Sequence, residues 1–241
     1  MEEKVPLPEL LLIDKPRGVS SFGVIRELRR RTGVRKFGHA GTLDPLATGL
    51  MLIGVNRGTK LLADLIGLDK DYEAEILLGE SRSTGDMEGE ILVEREYRQN
   101  LETEEIQAAV ASLVGEIELP VSAYSAIKKD GIPMYKRARK AAELGEQVSE
   151  VPIRVMKITA ATLRTVEVVM ENGKTRLRLE VNFSVGSGTY IRSLAVALGE
   201  RLGYPAVLAS LRRTRIGVYV IKNALTLGEV SERYELVETR A

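Results

Sequence analysis

The segment His39–Gly49, with the sequence HAGTLDPLATG, has the clearest chemical character in the chain. Its two glycines and one proline suit a tight loop between a basic stretch and an apolar run. Asp44 is the only carboxylate between Glu27 and Asp64, and Pro45 keeps its backbone out of the helical region. A carboxylate on such a rigid loop can serve as a nucleophile or a general base. Asp-Pro also commonly starts a turn, so the pattern alone leaves a structural role open.

Charge is unevenly distributed along the 241 residues, although the net charge is only +1. Acids concentrate between Asp69 and Glu118, where fifteen acidic residues face four basic ones. Three stretches are basic: Lys15–Lys36 with eight basic residues and one acid, Lys128–Lys140 with six and one, and Arg201–Lys222 with five and none. Separate basic stretches on a nearly neutral protein suit a surface that binds a polyanion. Solvated helix faces carry such runs too, so charge alone leaves both interpretations open.

Composition excludes several kinds of site. The chain has no cysteine, which excludes disulfides, a thiol nucleophile and cysteine-based zinc sites, and its one histidine, His39, excludes a histidine-rich metal site. We expect no metal and no cofactor, because the acids lack ligand spacing and no nucleotide-binding loop is present. The acidic N-terminus and the short apolar runs predict neither a signal peptide nor a membrane span. A cytoplasmic protein is therefore expected.

The elements that position these residues are predicted from periodicity and turn signals. Ser20-Ser21 can cap a helix that runs to about Arg31 and ends at Gly33. Helical spacing is also found over Thr59–Leu68, from Thr103 onward, over Thr189–Leu202 and after Thr226. Strands are predicted at Leu10–Ile13, Leu50–Val55, Tyr72–Leu78, Glu90–Glu96, Arg154–Thr159, Thr165–Met170, Thr175–Phe183 and Val207–Val218. This order predicts an α/β protein of the α+β type, with a mixed, mostly antiparallel central sheet flanked by helices and loops.

The stretch Leu119–Ala142 differs from the rest of the chain. It mixes two prolines and a glycine with basic residues, two tyrosines and a methionine. Its composition predicts a long, partly helical excursion. Excursions of this length are usually functional or disordered.

Six motifs together resemble the TruB family of tRNA pseudouridine synthases, and they occur in the family's order across about residues 10–220. No single motif carries the resemblance. The motifs are Leu12–Ser21, Gly38–Gly49, Lys70-Asp71-Tyr72, Tyr124–Lys128 with Gly131–Ala138, Gly188–Leu194 and Leu211-Arg212-Arg213.

The resemblance implies a pseudouridine synthase fold and a catalytic role for Asp44 on a uridine flipped out of the T-loop of tRNA, at position 55. It implies that Tyr72 stacks on the flipped base, for which a ring face is well suited. It also implies that Arg192 pairs with Asp44 and keeps the carboxylate ionised. Without the resemblance, Tyr72 would be interpreted as a core tyrosine and Arg192 as a surface arginine.

Three further residues are implied in substrate binding. Tyr190 and Leu211 would line the pocket, although core packing also explains both. His39 would help to displace the target base, whereas a lone histidine is more often structural.

The basic stretches are then expected to contact phosphates of the tRNA T-arm. The residues expected to do so are Lys15, Arg29, Arg30, Arg31, Lys128, Lys129, Lys136 and Arg137. The resemblance implies one catalytic domain over residues 1–241, with a thumb-like RNA-binding insertion at about 119–150. We expect no C-terminal RNA-binding domain of the PUA type, and a monomer.

Three alternatives are weighed against this function. A guide-RNA-dependent synthase of the dyskerin type is disfavoured by the thumb-like segment and by the missing C-terminal domain. A tRNA chaperone without catalysis is disfavoured by the complete set of Asp44, Tyr72 and Arg192. A carbohydrate-acting enzyme would normally need two paired carboxylates, and the candidate loop offers one.

Overall fold

The computed structural model describes residues 5–98, 101–125, 127–144, 146, 148 and 150–234. The strands are β1 Leu10–Lys15, β2 Phe37–His39, β3 Thr48–Val55, β4 Lys70–Leu78, β5 Glu80–Arg82, β6 Ile91–Glu94, β7 Gly115–Pro120, β8 Lys128–Lys129, β9 Ile132–Pro133, β10 Ile153–Glu171, β11 Lys174–Val185, β12 Ala206–Ile216 and β13 Tyr219–Val220. The α-helices are α1 Ser21–Thr32, α2 Leu62–Ile66, α3 Thr103–Ala111, α4 Met134–Glu143, α5 Ile191–Arg201 and α6 Leu227–Arg233, and 3₁₀ turns cover Asn56–Lys60 and Ile221–Asn223.

The chain divides into two compact units, of which the first comprises residues 1–73 and 211–241. In this unit β3 is almost wholly buried and pairs antiparallel with both β1 and β2. The end of β12 runs parallel to β3, with Arg212 opposite Thr48 and Arg213 opposite Gly49. A nearly continuous apolar strand such as β3 is typical of a position buried on both faces.

Helix α1 of the first unit forms as its sequence predicts. The side chain of Ser20 accepts a hydrogen bond from the Gly23 amide, and Gly33 ends the helix in the left-handed conformation. Its apolar face is buried, including Val24 and Leu28. This face fixes the orientation of the helix in its unit.

The second unit, residues 74–210, is built around the long antiparallel hairpin of β10 and β11. Asn172 and Gly173 form its turn with positive φ, as an Asn-Gly hairpin signal requires. Strand β7 pairs antiparallel with β10 on the other side. Helix α5 is almost wholly buried.

Several sequence predictions need correction. Arg154–Thr159 and Thr165–Met170 are not two strands but parts of β10, which stays paired with β11 across register shifts at 158/160 and 163/165. Thr59–Leu68 is not one helix but parts of a 3₁₀ turn and the short α2. Leu119–Ala142 is partly helical, as predicted, because it includes most of α4, and it also contains the end of β7 and the small β8–β9 hairpin.

Strand pairings within both units confirm an α/β protein with a mixed, mostly antiparallel sheet, since only β12 and β3 pair in parallel among the pairings given above. The prediction of a single catalytic domain stays a prediction. Within the described ranges, the helices lack the length and apolar character needed to cross a membrane.

Candidate active site

Asp44 lies on the loop that joins β2 to β3, and it is half-buried. The amide of Ala40 anchors the start of the loop to the Leu52 carbonyl at 3.0 Å. The amide of Ala47 closes a turn onto the Asp44 carbonyl at 3.1 Å. The loop is therefore a hydrogen-bonded structure that holds the carboxylate at a defined place.

The N-terminal end of α1 fixes this loop from one side. The hydroxyl of Ser21 accepts a hydrogen bond from the Leu43 amide at 2.8 Å and donates one to the Leu43 carbonyl at 2.9 Å. The amide of Gly18 donates to the Pro45 carbonyl at 2.8 Å. The residues on both sides of Asp44 are thus bonded to the segment that leads into α1.

Lys15 is fully buried, so its expected contact with phosphate is wrong. Its ammonium donates to the carbonyls of Val19 at 2.6 Å, Pro16 at 3.0 Å and Pro45 at 3.3 Å. An ammonium enclosed by carbonyls in this way is not available to RNA. Lys15 instead ties the turn after β1 to the candidate loop.

Arg213, on β12, also fixes the loop. It is 1% exposed, and its guanidinium donates to the carbonyls of Leu50 at 2.7 Å, Gly41 at 3.2 Å and Thr42 at 3.5 Å. A Cβ at Gly49 would lie 2.3 Å from the Arg213 carbonyl oxygen, so only glycine permits this approach of the two backbones. One buried guanidinium therefore bonds the candidate loop to the strand that follows it.

Lys70, at the start of β4, contributes a second buried cation. Its ammonium donates to the carbonyls of Leu68 at 2.5 Å and Ile66 at 3.1 Å. Burial, together with the charge of Arg213, lowers the pKa of Lys70 to about 8. A Cβ at Gly41 would lie 3.6 Å from both the Lys70 side chain and the Arg213 guanidinium, so these two cations flank the loop.

His39 lies on β2 opposite Ile53 and is half-buried. Burial and the nearby charge of Arg213 lower its pKa. Its Nδ1 is buried and has no hydrogen-bond partner among the described residues. Burial and the charge of Arg213 both favour the neutral imidazole at the start of the candidate loop.

Tyr72 and Leu211 also belong to the first unit. Tyr72, on β4, is 7% exposed, and Leu211, on β12, is 8% exposed. Tyr72 follows Lys70 by two residues and Leu211 precedes Arg213 by two. Residues two positions apart lie on the same face of a strand. On each strand, the predicted pocket residue therefore shares a face with a cation that flanks the loop.

Arg192 lies in the second unit, at the start of α5, and is 5% exposed. Its guanidinium donates to the Thr84 carbonyl at 2.8 Å, the Ser122 hydroxyl at 2.8 Å and the Tyr124 carbonyl at 3.2 Å. Its Nε lies 3.7 Å from a carboxylate oxygen of Asp86. Its expected pairing with Asp44 stays a prediction.

Tyr190 is the residue that immediately precedes α5, and it is half-buried. A cavity of about 240 Å³ lies along α5, from Arg192 to Glu200, within the second unit. Arg192 and Ser122 contribute polar groups to its wall, and Val121 and Val196 contribute apolar ones.

The remaining basic residues differ in how far they are free for RNA. Arg29, Lys128 and Lys136 are exposed. The others bind carboxylates of the chain itself: Arg30 and Arg31 bind Glu27, Lys129 binds Glu150 and Arg137 binds Asp130. The hydrogen bonds from Arg30 and Arg31 lower the pKa of Glu27 to about 2. A phosphate would compete with these carboxylates for the same cations.

Sequence reasoning missed the residues that hold the site together. From the sequence, Ser21 is a possible helix cap and the end of one motif, and Arg213 is the end of another, with no role assigned to either side chain. No pattern in the sequence indicates the partners of Arg192, which are Thr84, Ser122 and Asp86. Each contact joins residues far apart in the chain, which periodicity does not reveal.

Comparison with solved structures identifies the class of fold. The chain superposes on a chain of a Cbf5–Nop10–Gar1 complex with a TM-score of 0.63 and 22% identity, covering 92% of this chain and 53% of that chain. An archaeal box H/ACA sRNP Nop10–Cbf5 complex gives a TM-score of 0.59 and 24% identity, covering 92% and 52%. The chain therefore has the fold of these proteins and spans about half of their matched chains.

The family is given by the sequence. A model described as the N-terminal domain of the TruB family of pseudouridylate synthases matches residues 29–191. The tRNA pseudouridine synthase B of Leifsonia xyli subsp. xyli is 44% identical over 230 residues, which cover 95% of this chain and 73% of that protein. The protein of the same name from Streptomyces coelicolor is 41% identical, covering 96% and 76%. The chain belongs to the TruB family of pseudouridylate synthases.

Proposed function

We propose that this protein isomerises the T-loop uridine of tRNA, at position 55, to pseudouridine. The observation that carries the proposal is its identity of about 40% to bacterial proteins named tRNA pseudouridine synthase B, over nearly its whole length. The firmly held loop around Asp44 supports it, because catalysis of this kind needs a positioned carboxylate.

The reaction moves C1′ of the ribose from N1 to C5 of the same uracil. The C1′–N1 bond breaks, the base turns, the C1′–C5 bond forms, C5 loses a proton and N1 gains one. Redox state is unchanged. Asp44 is proposed to act at the target nucleotide, either by attack on C1′ or by proton abstraction on a glycal route.

The other site residues are assigned to the flipped base. Tyr72 offers a ring face for stacking, and Leu211 and Tyr190 offer apolar walls. His39, whose neutral form is favoured, is proposed to help displace the base from the T-loop. Arg192 is proposed to pair with Asp44 and to keep it ionised.

The exposed basic residues are proposed to bind phosphates of the T-arm. Arg29, Lys128 and Lys136 are the most available, and the ion-paired arginines and lysines exchange partners on binding. Affinity should fall as salt rises, because each neutralised phosphate releases counterions. We further propose that the protein acts in the cytoplasm as a monomer.

Tritium release tests the function directly. A T-arm hairpin with uridine labelled at C5 should release tritium with the wild type and not with Asp44→Ala. Asp64→Ala, which removes an exposed carboxylate of α2 in the same unit, should remain active.

The alternatives predict different results. A tRNA chaperone would bind the hairpin, release no tritium and keep its function in Asp44→Asn. A guide-dependent synthase would release tritium only when a guide RNA is added.

A further inference from the structure

Phe22 is exposed on the surface of the first unit. The chain has three phenylalanines, and Phe37 and Phe183 are 8% and 1% exposed, whereas Phe22 is 62% exposed. Phe22 is the second residue of α1. A single exposed apolar residue is ordinary in itself, so its meaning depends on what surrounds it.

The face of α1 that carries Phe22 is cationic. Arg26 and Arg29 follow at the fourth and seventh positions after Phe22, which places all three side chains on one helix face. Both arginines are exposed. Neither forms an ion pair with any part of the chain that the structure describes, unlike Arg30 and Arg31, which bind Glu27. An uncovered ring thus stands beside two available guanidinium groups.

This face is attached to the loop that carries Asp44. Ser21, the residue before Phe22, is bonded to the amide and carbonyl of Leu43. Gly18, in the turn that leads into the helix, is bonded to Pro45. The contacts that fix the Asp44 loop therefore also fix the start of the helix that carries the ring.

We propose that Phe22 is a stacking platform for an unpaired nucleotide of the RNA substrate, next to the nucleotide that reaches Asp44. Arg26 and Arg29 hold the phosphates of this part of the RNA. Aromatic rings accept any base face, and the cations supply attraction that is independent of sequence. The proposal rests on the proposed function in that the ligand is RNA.

The test measures binding of two RNAs by fluorescence anisotropy: a T-arm hairpin, and a fully paired duplex of the same length without unpaired nucleotides. Phe22→Ala should weaken hairpin binding by about 5- to 150-fold, the range that stacking on one base carries. Duplex binding should not change.

Phe22→Leu should bind the hairpin as weakly as Phe22→Ala does, because leucine is apolar but has no ring. Phe22→Trp, which supplies a ring, should restore hairpin affinity. Val218→Ala, at another exposed apolar residue of the unit, is the matched control.

Salt dependence separates the ring from the arginines. Arg26→Ala and Arg29→Ala should each reduce the slope of log affinity against log salt by about one, whereas Phe22→Ala should lower affinity without changing the slope. Because Phe22 is exposed, its variants should melt as the wild type does.

Three results would overturn the proposal: wild-type hairpin affinity in Phe22→Ala, wild-type affinity in Phe22→Leu, or a wild-type dimer that Phe22→Ala converts to monomer. Its failure is distinguishable from failure of the proposed function. Tritium release by the wild type with unaffected Phe22 variants rejects only the stacking platform. If the Phe22 variants weaken hairpin binding but the wild type releases no tritium, only the proposed isomerase activity is rejected.

Discussion

The hydroxyl of Ser21 lies 2.8 Å from the amide nitrogen of Leu43 and 2.9 Å from its carbonyl oxygen. Ser21 and Leu43 are both buried, and Leu43 immediately precedes Asp44. The start of α1 therefore satisfies both backbone groups of the residue before the candidate catalytic carboxylate. Because both residues are buried, water cannot take the place of the Ser21 hydroxyl unless the surrounding structure rearranges.

Replacing Ser21 with alanine should lower both stability and turnover. The substitution leaves the buried amide and carbonyl of Leu43 without their partner, which costs about 1–3 kcal/mol of unfolding free energy. The loop also gains freedom, so kcat for tritium release should fall at least tenfold while KM changes little. Urea unfolding and steady-state kinetics measure the two effects.

Ser20→Ala is the matched control for this prediction. It removes the helix cap on Gly23, at a cost of about 0.5–2 kcal/mol, without touching the loop. Its kcat should stay close to that of the wild type. Equal kcat values for the two variants would show that the Ser21 bond does not position Asp44.

The sequence predicts those elements whose signals are local. Ser20 and Gly33 mark both ends of α1 because capping depends on neighbouring residues alone. The Asn172-Gly173 turn is likewise local. The break predicted within β10 is wrong because pairing with β11 continues through two bulges, and pairing is a property of both strands.

Buried cations could not be predicted in the same way. The basic stretch that begins at Lys15 predicts that this lysine contacts phosphate, and lysine is rarely buried in proteins. Two of the carbonyls that hold its ammonium, those of Pro16 and Val19, are near in sequence, but the third belongs to Pro45, thirty residues away. The partners of Arg192 at Thr84, Ser122 and Tyr124 are even more distant in sequence.

Replacing Arg213 with lysine should reduce kcat although the charge is kept. Three different guanidinium nitrogens bond the carbonyls of Leu50, Thr42 and Gly41, and the single nitrogen of an ammonium does not reproduce the geometry of this fork. We expect at least a tenfold fall in kcat with little change in hairpin affinity. Single-turnover tritium release and anisotropy measure these separately.

The neighbouring Arg212 provides the control for Arg213. Its side chain points to the opposite face of β12 and binds Asp14 at 2.7 Å while partly exposed. Arg212→Lys should cost about 0–1 kcal/mol of stability and leave kcat nearly unchanged. A larger loss of kcat in Arg212→Lys than in Arg213→Lys would contradict the assigned role.

His39 should titrate below the ordinary histidine pKa, because it is buried and lies near Arg213. The chain has one histidine, so the imidazole signals in an NMR titration belong to His39. Arg213→Gln should raise this pKa toward the ordinary value without reaching it, since burial remains. Arg212→Gln should leave it unchanged. A midpoint at or above the ordinary value in the wild type would refute the assignment.

The same shift makes stability depend on pH. Because the folded pKa of His39 is lowered, the unfolded chain binds more protons between the two pKa values. The stability that neutral His39 contributes is present above the unfolded pKa and is lost as pH falls through the folded pKa. His39→Gln should therefore lose less stability than the wild type between about pH 7.5 and about pH 5, measured by urea midpoints. Parallel losses would show that other groups carry the acid sensitivity.

Arg192→Lys should destabilise the second unit, because two separate guanidinium nitrogens bond Thr84, Ser122 and Tyr124, and one ammonium nitrogen does not reproduce that geometry. Removing these buried, charge-assisted bonds should cost about 1–3 kcal/mol. Ser122→Ala removes one partner of Arg192, together with the hydroxyl's own bonds to the Thr84 carbonyl and the Tyr124 amide, and it leaves the guanidinium in place. If Arg192 also acts on Asp44 as proposed, kcat should fall in Arg192→Lys far more than in Ser122→Ala when both are assayed well below their melting temperatures. Equal kcat values in the two variants would show that Arg192 stabilises the second unit and does not act on Asp44.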